Sequence, residues 1–271
     1  MPEDDGSMRN SRPDLRPVLI IVLAVVLLAA CSNLSRKISK TDDLAAMMEA
    51  RRVLLALSSQ NEKLINFKGI GKIKVWHSGK KKIDEKVAWI GSETFKISIV
   101  VLISGYPAIK IASDGKWVYY YETRKEEPLY IKYPATDATL QRIVSVPIKI
   151  SDIISLLAGR TPFREHHSAL LQRQDSGNGY VLTLKKRWYG VVEKIYLAED
   201  KRQVSQIEFF NRSGSLIYRA RLDEMQTVNT YQIPTKLSIS SDTSMGFQLV
   251  VQKYWTGIPV FPSMFVLRPP N

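Results

Sequence analysis

The sequence predicts a mainly β, α+β fold in which about eleven antiparallel strands make a barrel or strongly curved sheet, accompanied by a few helices. Three observations predict it. From Phe67 onward apolar and polar residues alternate with period two, tight-turn residues recur at short intervals, and one helical stretch within 139–158 interrupts the strands. Hydrophobic residues make up 45% of the 271 and charged residues 24%, a globular balance that excludes a disordered or collagen-like chain. A single cysteine leaves no intramolecular disulfide and no Cys-based zinc site.

That cysteine directly follows the most apolar run in the chain. Val18 to Ala30 reads VLIIVLAVVLLAA, uncharged and shorter than the roughly 20 residues of a membrane span. It fits the h-region of a secretory signal, with Arg9, Arg12 and Arg16 as its basic flank. Glu3, Asp4 and Asp5 are unusual in such a flank, and Met8 offers a cleaner start. The run closes on Leu28-Ala29-Ala30-Cys31, which resembles the bacterial lipobox. The resemblance implies removal of 1–30 as a signal peptide and lipidation at Cys31. Two or three acyl chains there would anchor the protein stably, whereas one binds marginally. The bland alternatives are a buried core cysteine in an N-terminal helix or an uncleaved anchor. By resemblance to enterobacterial lipoproteins, a residue other than Asp after the cysteine, here Ser32, implies sorting to the bacterial outer membrane, rather than retention at the inner one, with the domain on the periplasmic face.

Removing 1–30 takes away three arginines and four acids, so the remainder is one unit more positive than the +13 of the whole chain. Export and the lack of any RNA- or DNA-binding signature argue against nucleic acid as the partner. An anionic lipid surface suits this charge better.

Residues 31–40 read as a lipidated polar tether, and 41–271 as one domain. Thr41 is placed to cap a helix with Asp42 and Asp43 in its first turn. Leu44, Met47, Met48, Arg51, Leu54, Leu55 and Ser58 carry helical spacing to about Lys63, with Leu57 beside them. The strands then follow: FKGIGKIKVW, KVAWIG, FKISIVVLI, AIKIAS, KWVYYYE and YIKYPA. Thr139–Ser145 and Ser151–Ala158 read as short helices separated by Val146-Pro147-Ile148. Strands resume with YVLTLKK, VVEKIYLA, VSQIEFFN, LIYRARLDEM, IPTKLSIS and FQLVVQKYW.

Folding the alternation collects Ile73, Val75, Val87, Trp89, Phe95, Ile97, Ile99, Ile109, Ile111, Trp117, Tyr119, Leu182, Leu184, Phe209 and Leu249 on one face. Lys72, Lys74, Lys86, Lys96, Lys110 and Lys116 fall on the other. A curved sheet with so apolar a concave face must cover it with helices or fill it with a ligand. Plain core packing would produce the same pattern.

The order of parts resembles the LolB family of outer-membrane lipoprotein receptors and the wider superfamily of periplasmic lipoprotein carriers. The resemblance runs from about Leu64 to Pro162 and more weakly beyond. It rests on the Gly-rich FKGIGKIKV, the strand reaching Trp89, the stretch FKISIVVLISGYPAIKIASDG and the helix–Pro–helix segment TLQRIVSVPIKISDIISLLAGRTP. It implies an eleven-stranded half-barrel closed by helices over an apolar cavity for acyl chains, lined by Ile73, Val75, Trp89, Ile97, Ile99, Ile109, Ile111, Trp117 and Tyr119. In the receptors an exposed apolar residue of a Pro-containing loop helps pass acylated proteins into the membrane. The corresponding residues here are Tyr106 and Pro107, a tyrosine replacing the aliphatic side chain. The implied partners are acyl chains of lipoproteins or lipids, the membrane through the anchor, and a periplasmic carrier protein. Other members of the fold bind free lipid or act as non-catalytic envelope interaction or sensor modules.

An enzyme is not expected. His166 and His167 are adjacent, so their side chains diverge and chelate poorly. His77 lies in a hairpin turn without a partner at metal-ligand spacing, no GxSxG elbow occurs, and Gly69-Ile70-Gly71-Lys72 lacks the phosphate-loop spacing. Asp84 and Glu85 read as solvated turn residues among lysines. No cofactor, metal or catalytic residue is expected.

Overall fold

The computed structural model describes residues 40–93, 95–123, 127–136, 143, 146–175, 177–242 and 244–269, with side chains from residue 44. The chain divides at Leu44 into two units, and the fold is that of Ala45–Asn271. The signal peptide, Cys31 and the tether lie outside the described residues, as does most of the helix expected over 139–145.

Alternating residues with one apolar set and one lysine-rich set can satisfy their backbone only by pairing sideways, and the strands do so in a single sheet. The first meander comprises β1 (Asn66–His77), β2 (Lys80–Ser92), β3 (Lys96–Ile103), β4 (Tyr106–Asp114), β5 (Trp117–Glu122) and β6 (Leu129–Pro134). The second comprises β7 (Ser168–Arg173), β8 (Tyr180–Lys186), β9 (Gly190–Leu197), β10 (Val204–Phe210), β11 (Leu216–Val228), β12 (Tyr231–Ser240) and β13 (Gly246–Thr256). Strands β1 and β13 pair in the middle, so the meanders run outward in opposite directions and leave β6 and β7 as edges. Every neighbouring pair is antiparallel. The sheet is curved and does not close. Register breaks at Ile70/Gly71, Val75/Trp76 and Val101/Leu102 add local bends. Thirteen strands are present where about eleven are expected, and twelve of them fall on the segments named from the sequence; the other, Ser168–Arg173, behind the charged RTPFREHH stretch, carries too short an alternation to be read as β7.

Because the meanders end on opposite edges, the segment between Pro134 and Ser168 must travel from one edge to the other. It carries helix α2 (Ile150–Leu157), which packs on both β3 and β12 and so roofs the concave face. Ile150, Ile153, Ile154, Leu156 and Leu157 of α2 are all buried.

Helix α1 (Lys40–Ser59) already includes Lys40, so Thr41 lies inside it rather than at its cap. Its buried residues are Ala50, Val53 and Leu57, with Leu54 half-buried, while Met47, Met48 and Leu55 stay exposed. The expected stripe is thus rotated: small Ala50 can approach the sheet where methionines cannot. Beyond the helix, Asn61 adopts a left-handed backbone (φ 53°). Its Nδ2 donates to the carbonyls of Ala158 (2.9 Å) and Gln232 (2.6 Å), joining the ends of both helices to β12. Gly159 allows this approach, since a Cβ there would meet the Gln232 oxygen at 2.0 Å. On the convex face the 3-10 turn Pro262–Phe265 packs on β3 and β4 and buries Phe265. Among the described residues no helix is long and apolar enough to cross a membrane.

Candidate functional site

Between the first meander and α2 lies an apolar cavity of about 520 Å3. Antiparallel register builds its floor in rows. Gly69, Trp89, Ile99, Ile111 and Tyr120 are successive cross-strand partners from β1 to β5. The next row is Gly71, Val87, Val101 and Ile109, and beyond it Ile73 and Val75 continue along β1. Leu237, Phe247 and Leu249 complete the floor from β12 and β13, and Ile143, Ile153 and Leu157 face it from above. Lys82 and Trp89 are seven residues apart on β2, so the lining is roughly 20 Å long at a strand's rise per residue.

The end of the lining at the β1–β2 turn is polar. Val75 pairs with Ile83 but Trp76 with Lys81, so Lys82 is the extra residue of a bulge. Both Lys82 and Ile83 therefore reach the lining, as does His77. Deeper in, Tyr120 donates its hydroxyl to Glu122 Oε2 at 2.8 Å. Trp89 is 2% exposed, and its Nε1 is buried without an acceptor among the described residues. A Cβ on Gly69 would stand 2.2 Å from the Trp89 ring, so this glycine is the space the indole occupies.

Of the nine residues expected in the cavity, Ile73, Val75, Trp89, Ile99, Ile109 and Ile111 line it. Ile97 lies on the same face but is packed into the core and does not reach the lining. Trp117 and Tyr119 are corrections: the β4–β5 hairpin pairs Ile111 with Tyr120 and Ala112 with Tyr119, which turns both aromatics to the convex side. There Trp117 is 38% exposed under the Lys132 ammonium, 4.3 Å from its ring. Tyr119 donates to Asp114 Oδ2 at 2.9 Å, and burial together with that bond pushes its phenol up to about 12. Phe95, expected on the concave face, is exposed instead. Tyr106 and Pro107 open β4 after a Ser104-Gly105 turn in which both residues have positive φ, and Tyr106 is 77% exposed.

Sequence reasoning missed a buried polar network in the second meander. Asp152 of α2 accepts from both terminal nitrogens of Arg164 (2.9 and 2.5 Å) and from the Tyr218 hydroxyl (2.6 Å). The Arg164 guanidinium also lies over the Phe209 ring at 4.0 Å. The Arg164 backbone N–H donates to Glu193 Oε2 at 2.8 Å, and burial pushes the Glu193 carboxyl up to about 8. Burial outweighs the Arg164 backbone bond and the Arg164 charge, both of which pull the other way. The network pins α2 to β9 and β11, and isolated polar residues in strand patterns gave no signal of it. A second cavity of about 680 Å3 lies by the end of α1, where Leu57, Leu222 and Met225 share the lining with Arg160, Asp200 and Arg202. His166 and His167 bond to nearby backbone atoms of Arg164 and Arg187.

No family model matches this sequence, and no curated protein matches it. Solved structures do match in fold. A LolA superfamily protein from Nitrosomonas europaea superposes with a TM-score of 0.54 at 14% identity, over 80% of this chain and 97% of the other. A DUF1329 family protein from Desulfovibrio piger gives 0.53 at 10% identity, over 83% and 97%. An outer membrane lipoprotein-sorting protein domain from Vibrio parahaemolyticus gives 0.52 at 8% identity, over 82% and 97%. The fold is therefore the LolA-like half-barrel: an open curved sheet roofed by helix over an apolar space. The match does not single out LolB-type receptors within it.

Proposed function

We propose that this protein is a lipid-anchored carrier or receptor that faces the periplasm and holds acyl chains in its cavity, in the service of lipoprotein localisation to the outer membrane. The observation that carries the proposal is the apolar cavity itself, about 520 Å3 under α2, lined by aliphatic side chains from four strands of the first meander. Transferring an acyl chain there contributes roughly 0.8 kcal/mol per methylene, enough for reversible capture with no covalent step and hence no catalytic residue. Cys31 is the proposed anchor, and Tyr106, exposed at the tip of the β3–β4 hairpin, the proposed point of transfer to the membrane, supplied by a periplasmic carrier. Fluorescence titration with a labelled fatty acid tests the cavity. Ile99→Asp and Ile111→Asp should each weaken binding at least tenfold, because a charge in an apolar cavity is poorly solvated. Unchanged affinity in both would sink the proposal.

One observation favours a second reading, a non-catalytic envelope interaction or sensor module. Lys72, Lys74 and Lys86 are exposed together on the convex face. Docking through them would weaken steeply with salt and would ignore the cavity substitutions.

A further inference from the structure

We infer that the cavity takes an acyl chain with an anionic head, a carboxylate or a phosphate, and that Lys82 at its β1–β2 end receives that head. The inference rests on the acyl-binding reading and deepens it by naming the class of ligand. Among the described residues, Lys82 is the one permanently charged member of the lining, to which no aspartate, glutamate or arginine contributes. His77 lines the same end and can add a second positive charge. Backbone geometry brings Lys82 there. On β2, Val87 and Trp89 face the cavity, so strict alternation would send Lys82 to the convex side with Lys86. The bulge breaks that alternation: Ile83 pairs with Val75 and Lys81 with Trp76, and the extra residue, Lys82, reaches the lining beside Ile83. Its charge is also uncommitted. Lys81 pairs with Asp84 at 3.1 Å, whereas Lys82 has no hydrogen bond or ion pair among the described residues. Glu85 lies across from Ile73 but does not contribute to the lining. Lys82 and His77 are both exposed, so a head group can reach them without displacing a packed side chain. A lysine here can lay its methylenes along the apolar wall and keep its ammonium in water.

A hydrocarbon tail gains by leaving water, whereas an anionic head loses by following it. A ligand with its head at Lys82 and its tail running toward Trp89 meets both demands. The experiment is displacement of a cavity-bound apolar dye, 1-aminoanthracene, from the full chain by matched ligands delivered from cyclodextrin. Palmitate is compared with palmityl alcohol, and palmitoyl lysophosphatidate with monopalmitoylglycerol, which separates a carboxylate head from a phosphate head. At least one anion should displace at a concentration about three- to tenfold lower than its neutral partner, between the effect of an exposed ion pair and that of a charged hydrogen bond. The pair that shows the preference names the head. Lys82→Gln should bring the ratio close to one and leave displacement by the neutral ligands unchanged. Lys81→Gln, one residue away and outside the lining, should keep the ratio. In the wild type the preference should shrink with added salt. Equal displacement within both pairs, a preference that survives Lys82→Gln or salt, or one lost equally in Lys81→Gln, overturns the inference while leaving acyl binding intact. If no ligand displaces the dye, the acyl-binding reading fails and the inference with it.

Discussion

Glu193 and Arg164 meet under α2 in an arrangement that only complete burial makes intelligible. Arg164 gives both terminal nitrogens to Asp152, leaving Glu193 with a single backbone donor and one oxygen, Oε1, without a partner among the described residues. Its carboxyl is raised to about 8, above the ordinary value of 4.5. Between those values the folded chain holds a proton that the unfolded chain releases, so this group's stabilising contribution is full below about 4.5 and is lost as the pH rises through 8. The melting temperature should therefore fall between pH 5 and pH 8 by an amount that Glu193→Gln removes. Thermal melts across that range decide it; a wild-type slope retained in the variant would place the titration elsewhere. Nothing in VVEKIYLA announces this residue, because in sequence a Glu between apolar neighbours looks like the wet side of a strand. Trp89 differs: alternation alone put it on the concave face, where it is buried.

At the scale of elements, the roof depends on few bonds. Asn61 ties α1 and α2 to β12 through its side-chain amide, with Gly159 clearing the way. Asn61→Ala leaves the Ala158 and Gln232 carbonyls without that donor and should destabilise the fold by about 1–3 kcal/mol. Urea unfolding measures this, and a change below about 0.5 kcal/mol would mean water replaces the amide. Elements were more legible than their faces. Period two identified the strands of the first meander, and the helix read at Ser151–Ala158 after Pro147 falls on α2. Faces were legible where strand parity could be carried across a hairpin. It failed at β5, because the Asp114 turn pairs 111 with 120 and so moves Tyr120, not Tyr119, into the cavity. It failed in α1 because helical spacing cannot tell which of two apolar stripes meets the sheet, and here the small side chain of Ala50 does.

For the whole molecule, the division of labour between meanders follows from one topological fact: the edges β6 and β7 are far apart in the sheet order, and the chain between them crosses the concave face. The first meander leaves an apolar space beneath that crossing, and the second is clamped to it by the Asp152–Arg164–Tyr218 network. Curvature and apolar face were written in the alternation, whereas an open rather than filled space depends on side-chain volumes meeting between elements far apart in the chain. The proposed anchor belongs to this scale too. Cys31→Ser should move the protein from the membrane fraction to the soluble periplasm and abolish incorporation of radiolabelled palmitate. Membrane association persisting in that variant would shift the anchoring to the basic surface.

Native mass spectrometry of the protein purified without residues 1–31 tests the central claim most directly. The cavity predicts a population heavier by the mass of one acyl-bearing lipid, present in the wild type and lost in Ile99→Asp. A single unliganded mass in the wild type, unchanged after addition of acylated peptide, would contradict it.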